Sequence, residues 1–380
     1  MERFANEALS HDHRFDFNGR SPGGCAGSRP SDQGLPPGGG TGGENRTLTV
    51  AWGSDFVFMT TDQAKQYWTD LSDEMHQKFP NVTVNLVPIA GGYNDITNKL
   101  SLLYRSPDTA PDIGEIPAGE MGPFVSAGYL RPVDGYLRGM DWWDSFPENV
   151  KNETRFDGKY YGVNQGQNTE GLWYNQEIFK KAGIALPWQP KNWDDVLNTA
   201  KKIKASVPEV APMWLSGGTA GGTIGIEYNA GSLLAGSTDP TIRDPHSGKW
   251  VVDSPGLRET FKFYQDLGQN GLNAPAAQLL DPNAIVSLPA TLKQQNIAIA
   301  LGGNWYGATW VKATCGPCWE EAPEVMNAAA IPTIHGQGSG VASVLGGWEF
   351  GISSTSKNAD LAWEFIKIAH DHAAGRVHGQ

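Results

Sequence analysis

The sequence predicts an α/β fold, and three observations carry this prediction. Strand-like and helix-like stretches alternate along most of the chain. The first three ordered stretches form a strand–helix–strand unit, for which a parallel pair with a right-handed crossover is expected. The chain has 380 residues, 39% of them hydrophobic, which is enough for a sizeable core and for two ordinary domains.

The first unit comprises "RTLTVAW", "TTDQAKQYWTDLSDEMHQKF" and "NVTVNLV". Leu48, Val50 and Trp52 alternate with polar residues, which is typical of a half-buried strand. In the second stretch, Trp68 and Leu71 belong to an apolar stripe at helical spacing. A second helix around Leu100 and a short strand in "APDIGEI" follow.

The alternation continues toward the end of the chain. Asp157-Gly158 is a hairpin signal, Asn175 is placed to cap the helix "QEIFKK", and Ser254-Pro255 begins another helix. The segment "NWDDVLNTAKKIKA" has the apolar spacing of a further helix. Strands are predicted in "NIAIAL", "NAAAIP" and "EFGIS", and a last helix in "NADLAWEFIKIAH", after which "DHAAGRVHGQ" should be irregular.

Residues 1–46 are predicted to be a disordered tether. Their second half is mostly Gly, Pro and Ser and has almost no apolar residue, so it cannot support a packed core. No charged start followed by an apolar run is present, so we expect no intact signal peptide in this chain. Both ends of the sequence are expected to differ from those of the natural protein.

The charge and composition exclude several partners. The formal net charge is −12 and no basic cluster occurs, so nucleic acid and anionic membrane surfaces are poor partners. No run of 18 apolar residues occurs that could span a bilayer. The glycine-rich segment 214–225 lacks the lysine of a phosphate-binding loop. No metal site or cofactor is predicted.

Two of the three cysteines, Cys315 and Cys318, form the motif Cys-Gly-Pro-Cys. A redox enzyme would place this motif at the start of a helix, but no helical apolar spacing begins at Cys318. A zinc site would need two further ligands at suitable spacing. A loop disulfide, a catalytic dithiol and a reduced, inert pair remain as alternatives.

Aromatic residues recur where predicted strands pass into loops. Because ligands of open α/β sheets bind beyond the carboxyl ends of strands, these rings indicate a ligand cleft. The apolar faces of sugar rings suit aromatic side chains, and nearby Asp, Glu and Asn would bind the hydroxyls. The aromatic residues at such positions are Trp52, Trp173, Tyr174, Trp214, Tyr228, Trp305, Tyr306 and Trp348.

From residue 47 to about 370 the sequence resembles the family 1 extracellular solute-binding proteins of sugar ABC transporters, the maltose-binding-protein-like group. The resemblance rests on phrases in the family's order, among them "TLTVAWGSD", "SPDTAPDIGEI", "GKYYGVNQGQNTEGLWYNQEIFKKAGI", "IAIALGGNWYGATW" and "LGGWEFGISSTSKNADLAWEFIKI". It implies two α/β lobes of the type II periplasmic-binding-protein fold, each a mixed sheet flanked by helices. It further implies a hinge near 163–168 and delivery of a sugar, with aromatic-rich sites suggesting an oligosaccharide, to a membrane permease.

The resemblance also implies the domain boundaries and the site. The first lobe would comprise 47–164 and 302–344, and the second 165–301 and 345–380, truncated because the family continues with further helices. The Cys315–Cys318 pair would close a turn by a disulfide, and Cys25 would be a lipid attachment site outside the cell membrane or in the periplasm. The implied ligand-binding residues are Trp52, Ser54, Asp55, Asp112, Glu115, Asn168, Glu170, Trp214, Tyr228, Trp305, Trp348 and Glu349.

Three alternatives to a monomeric sugar-binding protein remain open on the sequence. A secreted glycoside hydrolase would use two facing carboxylates, for which Asp112 and Glu115 are candidates, whereas the adjacent Glu320 and Glu321 should point apart. A thiol oxidoreductase would use the cysteine pair. The same fold could also bind a solute that is not a sugar.

Overall fold

The computed structural model describes residues 44–54, 61–218, 225–244, 246–281, 284–310 and 318–377. The strands are β1 (Arg46–Gly53), β2 (Val82–Ile89), β3 (Ile113–Pro117), β4 (Arg155–Phe156), β5 (Lys159–Tyr160), β6 (Gly162–Asn175), β7 (Ala211–Trp214), β8 (Ile297–Gly303), β9 (Met326–Ala329) and β10 (Leu345–Ile352). The α-helices are α1 (Thr61–Lys78), α2 (Tyr93–Tyr104), α3 (Met121–Ser126), α4 (Asp134–Leu137), α5 (Asp141–Asp144), α6 (Glu148–Asn152), α7 (Gln176–Lys181), α8 (Trp193–Ser206), α9 (Gly231–Ala235), α10 (Pro255–Gln269), α11 (Ala276–Leu279), α12 (Ala284–Leu292), α13 (Tyr306–Trp310), α14 (Ala322–Val325) and α15 (Ala359–Val377). A 3-10 turn covers Ala118–Glu120, and a π-helix covers Gly225–Ala230.

The sheet has the strand order β2-β1-β3-β10-β6-β8-β7, with β9 also paired to β6. The predicted parallel pair of β1 and β2 is confirmed, and β3 joins β1 in parallel. The strand β6 is shared by two halves of the sheet: from Gly162 to Thr169 it pairs with β10, and from Glu170 it pairs with β8 and β9. The predicted α/β architecture is therefore confirmed.

The first lobe, defined as β1–β5, the first half of β6, β10, α1–α6 and α15, has a core on each face of its sheet. On one face, α1 and α15 pack together over β1, and the ring of Trp68 lies parallel to that of Phe365 at 6.4 Å. The other face packs against α2 and α3. A β-bulge between Trp348 and Glu349 breaks the alternation of β10, so Trp348 belongs to one core and Phe350 to the other.

The second lobe, defined as the second half of β6, β7–β9 and α7–α14 with the π-helix, also has two cores. One is formed around α7, α8 and α10 and contains Phe179, Trp193 and Phe263. The other is rich in aromatic residues and contains Trp214, Tyr228, Tyr306 and Trp310. It also contains Tyr93 of α2, which belongs to the first lobe, so the two lobes are in contact.

The predicted assignment of the two returning segments to the lobes is wrong. Residues 302–344 were expected in the first lobe, but β8 pairs with β6 and β7, and β9 pairs with β6, all in the second lobe. Residues 345–380 were expected in the second lobe, but β10 pairs with β3, and α15 packs in the α1 core of the first lobe. Both segments are apolar strands followed by helices, and that pattern does not distinguish the two sheets.

Local sequence signals account for several element boundaries. The Asn175 side chain accepts hydrogen bonds from the amides of Glu177 and Ile178 at 2.9 and 3.0 Å, which caps α7 as predicted. The Ser254 hydroxyl caps α10 in the same way. Asp157 and Gly158 have φ values of 49° and 79°, which is the geometry of the tight hairpin between β4 and β5.

Two boundary predictions need correction. The helix α15 continues to Val377, although "DHAAGRV" was expected to be irregular. Arg46, placed at the end of the tether, begins β1, and its side chain pairs with Asp360. The remainder of the predicted tether, residues 1–43, lies outside the described residues.

Replacing Gly302 should destabilise the second lobe. A Cβ atom at Gly302 of β8 would lie 2.1 Å from the Tyr306 ring, so Gly302→Ala should lower the free energy of unfolding by about 1–3 kcal/mol. Gly268 of α10 is the matched control, because nothing lies within 4 Å of a Cβ there and alanine favours the helix. Urea unfolding would measure both variants. Equal stabilities would contradict the close contact at Gly302.

Candidate functional site

The first wall of the site lies at the carboxyl ends of β1 and β3. The Gly53 amide, at the end of β1, donates a hydrogen bond of 2.9 Å to a carboxylate oxygen of the buried Glu115 on β3. Beside them is a cavity of about 220 Å³. It is lined by Ala64, Tyr67, Trp68, Glu115, Gln165, Gly166, Gln167, Asn168, Gly347 and Trp348. Glu115, Asn168 and Trp348 thus meet as the sequence predicted.

Glu115 is held in an environment that favours its neutral form. Burial raises the pKa of Glu115 to about 7, although hydrogen bonds from Gly53 and Gln165 oppose the increase. The carboxyl group therefore titrates near neutral pH. In either state it is an acceptor at the cavity wall.

Trp348 reaches the cavity because of the bulge in β10. Its ring centroid lies 6.4 Å from that of Tyr93, which begins α2. Gly347, the preceding residue, has a φ of 146° and packs against the Gly166 carbonyl, where a Cβ atom would lie 2.1 Å away. A glycine is therefore required here for β10 to pass the hinge strand closely.

The predicted ligand-binding rings of the second lobe belong to its aromatic core or pack against it, and none of them lines the cavity beside Glu115. Trp305 follows β8 and is half-buried, with its ring 5.7 Å from that of Tyr228 on the π-helix and 5.4 Å from that of Tyr306. Tyr228 and Trp214 are buried in the same core as Tyr306. Of these predicted rings, Trp305 keeps the largest accessible surface and is best placed to contact a ligand.

Glu170 has a buried carboxyl group, one oxygen of which accepts no hydrogen bond within the described part of the chain. It lies on β6 just after the hinge, is 6% exposed, and its Oε1 has no hydrogen-bond partner among the described residues. Burial raises the pKa of Glu170 to about 8. The charge of Glu170 in turn helps to raise the pKa values of the Tyr228 and Tyr306 hydroxyls, so both tyrosines are close to it.

A contact across the lobes involves the π-helix. The Glu227 carboxylate lies over Gly119, in the turn after β3, where a Cβ atom would be only 2.7 Å from one oxygen. Burial raises the pKa of Glu227, and the charge of Glu120 raises it further. Glu227 therefore links the second lobe to the turn after β3, and the adjacent Tyr228 packs against Gly346 of β10.

Glu349 was predicted at the site and lies beside it instead. It is fully buried on β10 and accepts a hydrogen bond of 2.9 Å from the Asn164 amide on β6. Burial raises the pKa of Glu349 well above its ordinary value. It is not among the residues that line the cavity with Glu115, and its hydrogen bond joins β10 to β6.

Asp112 and Trp52 do not belong to the site. Asp112 precedes β3, at the end of the strand opposite to the cavity, where it accepts hydrogen bonds from the Thr49 amide at 2.8 Å and the Ser356 hydroxyl at 2.5 Å. Trp52 is 3% exposed and packs at 5.4 Å from Trp68 in the first-lobe core. Both residues were predicted at the site because they lie next to strand ends. Asp112 instead holds a loop by its hydrogen bonds, and Trp52 fills the core of the first lobe.

Other predicted positions are only partly described. Ser54 is buried, and its amide continues the β1–β2 pairing by donating to the Ile89 carbonyl. Asp55 lies outside the described residues. Cys318 is disulfide-bonded, whereas Cys315 and Cys25 lie outside the described residues, so the Cys315–Cys318 pairing and the lipid attachment stay predictions.

Sequence reasoning missed Tyr93, Glu227, Gln165 and Gln167. Tyr93 follows the pair Gly91-Gly92, which is typical of a turn. Nothing in the spacing of nearby apolar residues indicates that its ring contacts the second lobe. Glu227 is adjacent to the predicted Tyr228. Gln165 and Gln167 lie in the segment "GVNQGQN" of the predicted hinge. Their position as polar residues of a hinge strand could have indicated that they line the site.

The described residues contain no group of three or more His, Cys, Asp or Glu side chains that could hold a metal ion. Within the described part of the chain, no helix is long and apolar enough to cross a membrane. The cavity thus combines aromatic rings, amide side chains and one buried carboxyl group, all supplied by the first lobe and the hinge segment of β6.

Comparison with known proteins places this cleft in context. Residues 60–374 match the family described as bacterial extracellular solute-binding protein. A binding protein of Brucella abortus is 26% identical over 301 residues, which cover 79% of this chain and 67% of that protein. The arabinooligosaccharide-binding protein of Bacillus subtilis is 21% identical over 313 residues, covering 82% and 67%. The GacH receptor of Streptomyces glaucescens, solved unliganded and with acarbose, superposes with a TM-score of 0.66 at 21% identity, covering 86% of this chain and 76% of that chain.

Removing the Asp112 carboxylate should affect stability and not ligand binding. Asp112→Ala would lose two hydrogen bonds to a charged acceptor, so we expect the free energy of unfolding to fall by about 2–3 kcal/mol. The nearby exposed Asp108 offers a control, since Asp108→Ala should leave stability within about 0.5 kcal/mol. Denaturant unfolding and ligand titration would be compared. If the folded Asp112→Ala variant bound the ligand much more weakly than the unchanged protein, Asp112 would be a ligand-binding residue after all.

Glu170→Gln should weaken the pH dependence of stability. The pKa of Glu170 is raised to about 8 in the folded protein, so the folded state binds the proton of this group more tightly than the unfolded chain does. Its contribution to the free energy of unfolding is therefore complete below the pKa of the unfolded chain and is lost as pH rises toward 8. One such group contributes a slope of about 1.4 kcal/mol per pH unit between the two pKa values. Urea unfolding at pH 5, 6 and 7 would detect the loss of this slope. The exposed Glu209→Gln is the control, and parallel curves for Glu170→Gln and the unchanged protein would refute the assignment.

Proposed function

The chain belongs to the bacterial extracellular solute-binding proteins, and from this premise we propose that it binds a sugar, specifically an oligosaccharide, in the cleft between its lobes. It would deliver the sugar to the membrane permease of an ABC transporter. The solute itself, the permease and a monomeric state are parts of this proposal. The sugar assignment draws on the named relatives and on the chemistry of the cleft.

The half-buried Trp305 carries the proposal. Its ring lies 5.7 Å from that of Tyr228 in the second lobe, and Trp348 lines the cavity of the first lobe. Sugar rings have apolar C–H faces that pack on such aromatic surfaces. Their hydroxyls are hydrogen-bond donors, and acceptors are available in Glu115 and Asn168, which line the cavity, and in the buried Glu170 further along β6. More than one aromatic surface favours more than one sugar ring.

An anionic solute is a weaker candidate on electrostatic grounds. Glu115 and Glu170 have raised pKa values because they are buried, and no basic side chain among the described residues contributes to lowering either pKa. A phosphate or carboxylate brought into this cleft would meet acceptors and partial negative charge instead of Lys or Arg donors. The alternative of a non-sugar solute is thus narrowed to uncharged or cationic molecules.

Binding would proceed by closure of the lobes. The strand β6 joins both halves of the sheet, and the exposed Gly166 lies within its hinge segment. A ligand that touches Glu115 and Trp348 in one lobe and Trp305 in the other gains its full set of contacts only when the lobes close. Its binding energy therefore shifts the population toward the closed form.

Hydrolysis and thiol chemistry are disfavoured as alternatives. The relatives named above are described as binding proteins or receptors, and Asp112, one of the proposed catalytic carboxylates, is occupied in holding a loop. Cys318 is disulfide-bonded. We propose that the sugar is released unchanged and that the disulfide is structural.

The family is extracellular, and the finer location is proposed. Cys25 lies within the predicted tether of residues 1–46, ahead of most of its Gly/Ser/Pro-rich part, so a lipid attached there would hold the binding domain near its permease. A tether of this composition behaves as a flexible chain, which would let the domain reach its partner.

Trp305→Ala should weaken sugar binding. Malto-, cello-, xylo- and arabino-oligosaccharides would be titrated by calorimetry, with recovery of each intact sugar checked by chromatography. Loss of one stacking surface should lower the affinity about tenfold or more, since about 1.4 kcal/mol corresponds to a factor of ten. Trp250→Ala is the matched control, because Trp250 is 72% exposed and lies outside the cleft. Unchanged affinity in Trp305→Ala, or no binding by folded protein, would contradict the proposal.

A further inference from the structure

A second cavity lies beside the one that holds Glu115. Its volume is about 400 Å³, which is within the range of roughly 300–1,000 Å³ for small-molecule sites. Phe146 and Val150, in α6 and the segment before it, line one side, and His370 and Asp371 at the end of α15 line another. The proposed closure of the lobes makes no use of this second cavity.

The two cavities meet at the hinge segment of β6. Gln165, Gly166 and Gln167 line both of them. Two steps along an extended strand cover only about 7 Å, so the cavities are neighbours. Gly166 is exposed, and a Cβ atom built there would have nothing within 4 Å. The glycine at this position therefore leaves no side chain of its own between the two cavities.

An irregularity in the sheet brings Gln165 to this boundary. Trp348 pairs with Gly166 and the next residue, Glu349, pairs with Asn164, so Gln165 is the extra residue of a β-bulge on β6. A bulge re-aims the side chains around it. Gln165 contributes to both cavities, and its side chain forms a hydrogen bond with the Glu115 carboxyl group. The hinge segment thus supplies hydrogen-bonding groups to both cavities.

Phe146 provides a fixed aromatic surface in the second cavity. Its ring centroid lies 5.9 Å from that of Trp142, whose ring stacks on those of His370 at 4.3 Å and Trp363 at 6.2 Å. These contacts hold Phe146 in place, yet the residue is half-buried and keeps part of its surface accessible. An accessible aromatic surface of this kind can pack on the apolar face of a sugar ring.

The polar groups of the second cavity suit an uncharged ligand. Gln165 and Gln167 carry amide groups, which both donate and accept hydrogen bonds. Burial lowers the pKa of His370 to about 4, so this ring is neutral at pH 7. Among the described residues that line the cavity, the exposed Asp371 is the one charged side chain, and no Lys or Arg contributes. A ligand rich in hydroxyl groups fits these partners better than an anion does.

We infer that the second cavity is a further sugar subsite, and that one sugar chain passes over Gly166 and fills both cavities. This inference rests on the proposed sugar-binding function and specifies the chain length of its ligand. The cavity with Glu115, at about 220 Å³, is small for an oligosaccharide, and the second cavity supplies the space for further rings. The affinity should therefore rise with chain length until both cavities are filled.

The test measures affinity against chain length. Malto-, cello-, xylo- and arabino-oligosaccharides of two to six units would be titrated against the full chain by calorimetry. We expect the affinity to rise at least about tenfold from the shortest to the longest sugar of the series that binds. Asp371→Trp should remove this rise, because a large ring at the exposed end of α15 would fill the second cavity. Asp73→Trp is the matched control and should keep the rise, since Asp73 is an exposed residue of α1 that lines neither cavity.

A second variant removes the aromatic surface without filling the cavity. Phe146→Ala should weaken binding of the longest sugar by more than it weakens binding of the shortest, because only the longest reaches this ring. The ratio of the two affinities is the quantity compared, and thermal melting would verify that each variant is folded.

The outcomes separate this inference from the function on which it rests. Equal affinities for short and long sugars would overturn the inference and leave sugar binding intact. A rise with chain length that persists in folded Asp371→Trp and Phe146→Ala would also overturn it, since the added rings would then lie outside the second cavity. Failure of every sugar to bind the folded protein would overturn the proposed function together with the inference.

Discussion

The structure depends on the continuous strand β6, which pairs with different partners in its two halves. Its first half holds β10 of the first lobe and its second half holds β8 and β9 of the second. One strand therefore joins both lobes at the hinge, and it carries Asn168, which lines the cavity with Glu115, and Glu170 two residues further on. The close passage of β10 explains the glycine at position 347, where a Cβ atom would lie 2.1 Å from the Gly166 carbonyl oxygen.

A second constraint is electrostatic. The cleft buries several carboxyl groups without basic partners among the described residues, and their pKa values rise because ionisation in a poorly solvated site is unfavourable. Such groups lower the stability of the protein as pH increases. A site that tolerates this cost gains hydrogen-bond acceptors at fixed positions, which is useful for recognising a ligand rich in donors.

Much of the fold could be predicted from sequence because local patterns determine it. The spacing of apolar residues located α1, α8 and α10, and the caps at Asn175 and Ser254 marked helix starts correctly. The assignment of β8 and β10 to lobes failed because both strands are buried along nearly their whole length. Which sheet receives such a strand is decided by long-range pairing with β3 or β7, and no local signal encodes that choice.

The site was predicted less well than the fold. Aromatic and acidic residues can either stabilise the fold or contact a ligand, and the sequence pattern around them is similar in both cases. Trp52 and Trp305 both follow apolar strand residues, yet one is 3% exposed in a core and the other is half-buried at the cleft. Large rings contribute most to stability when fully buried, so most of them will be in cores. A ligand surface must instead leave part of a ring accessible. Partial exposure, which only the tertiary packing sets, therefore separates Trp305 from the rings that stabilise the fold.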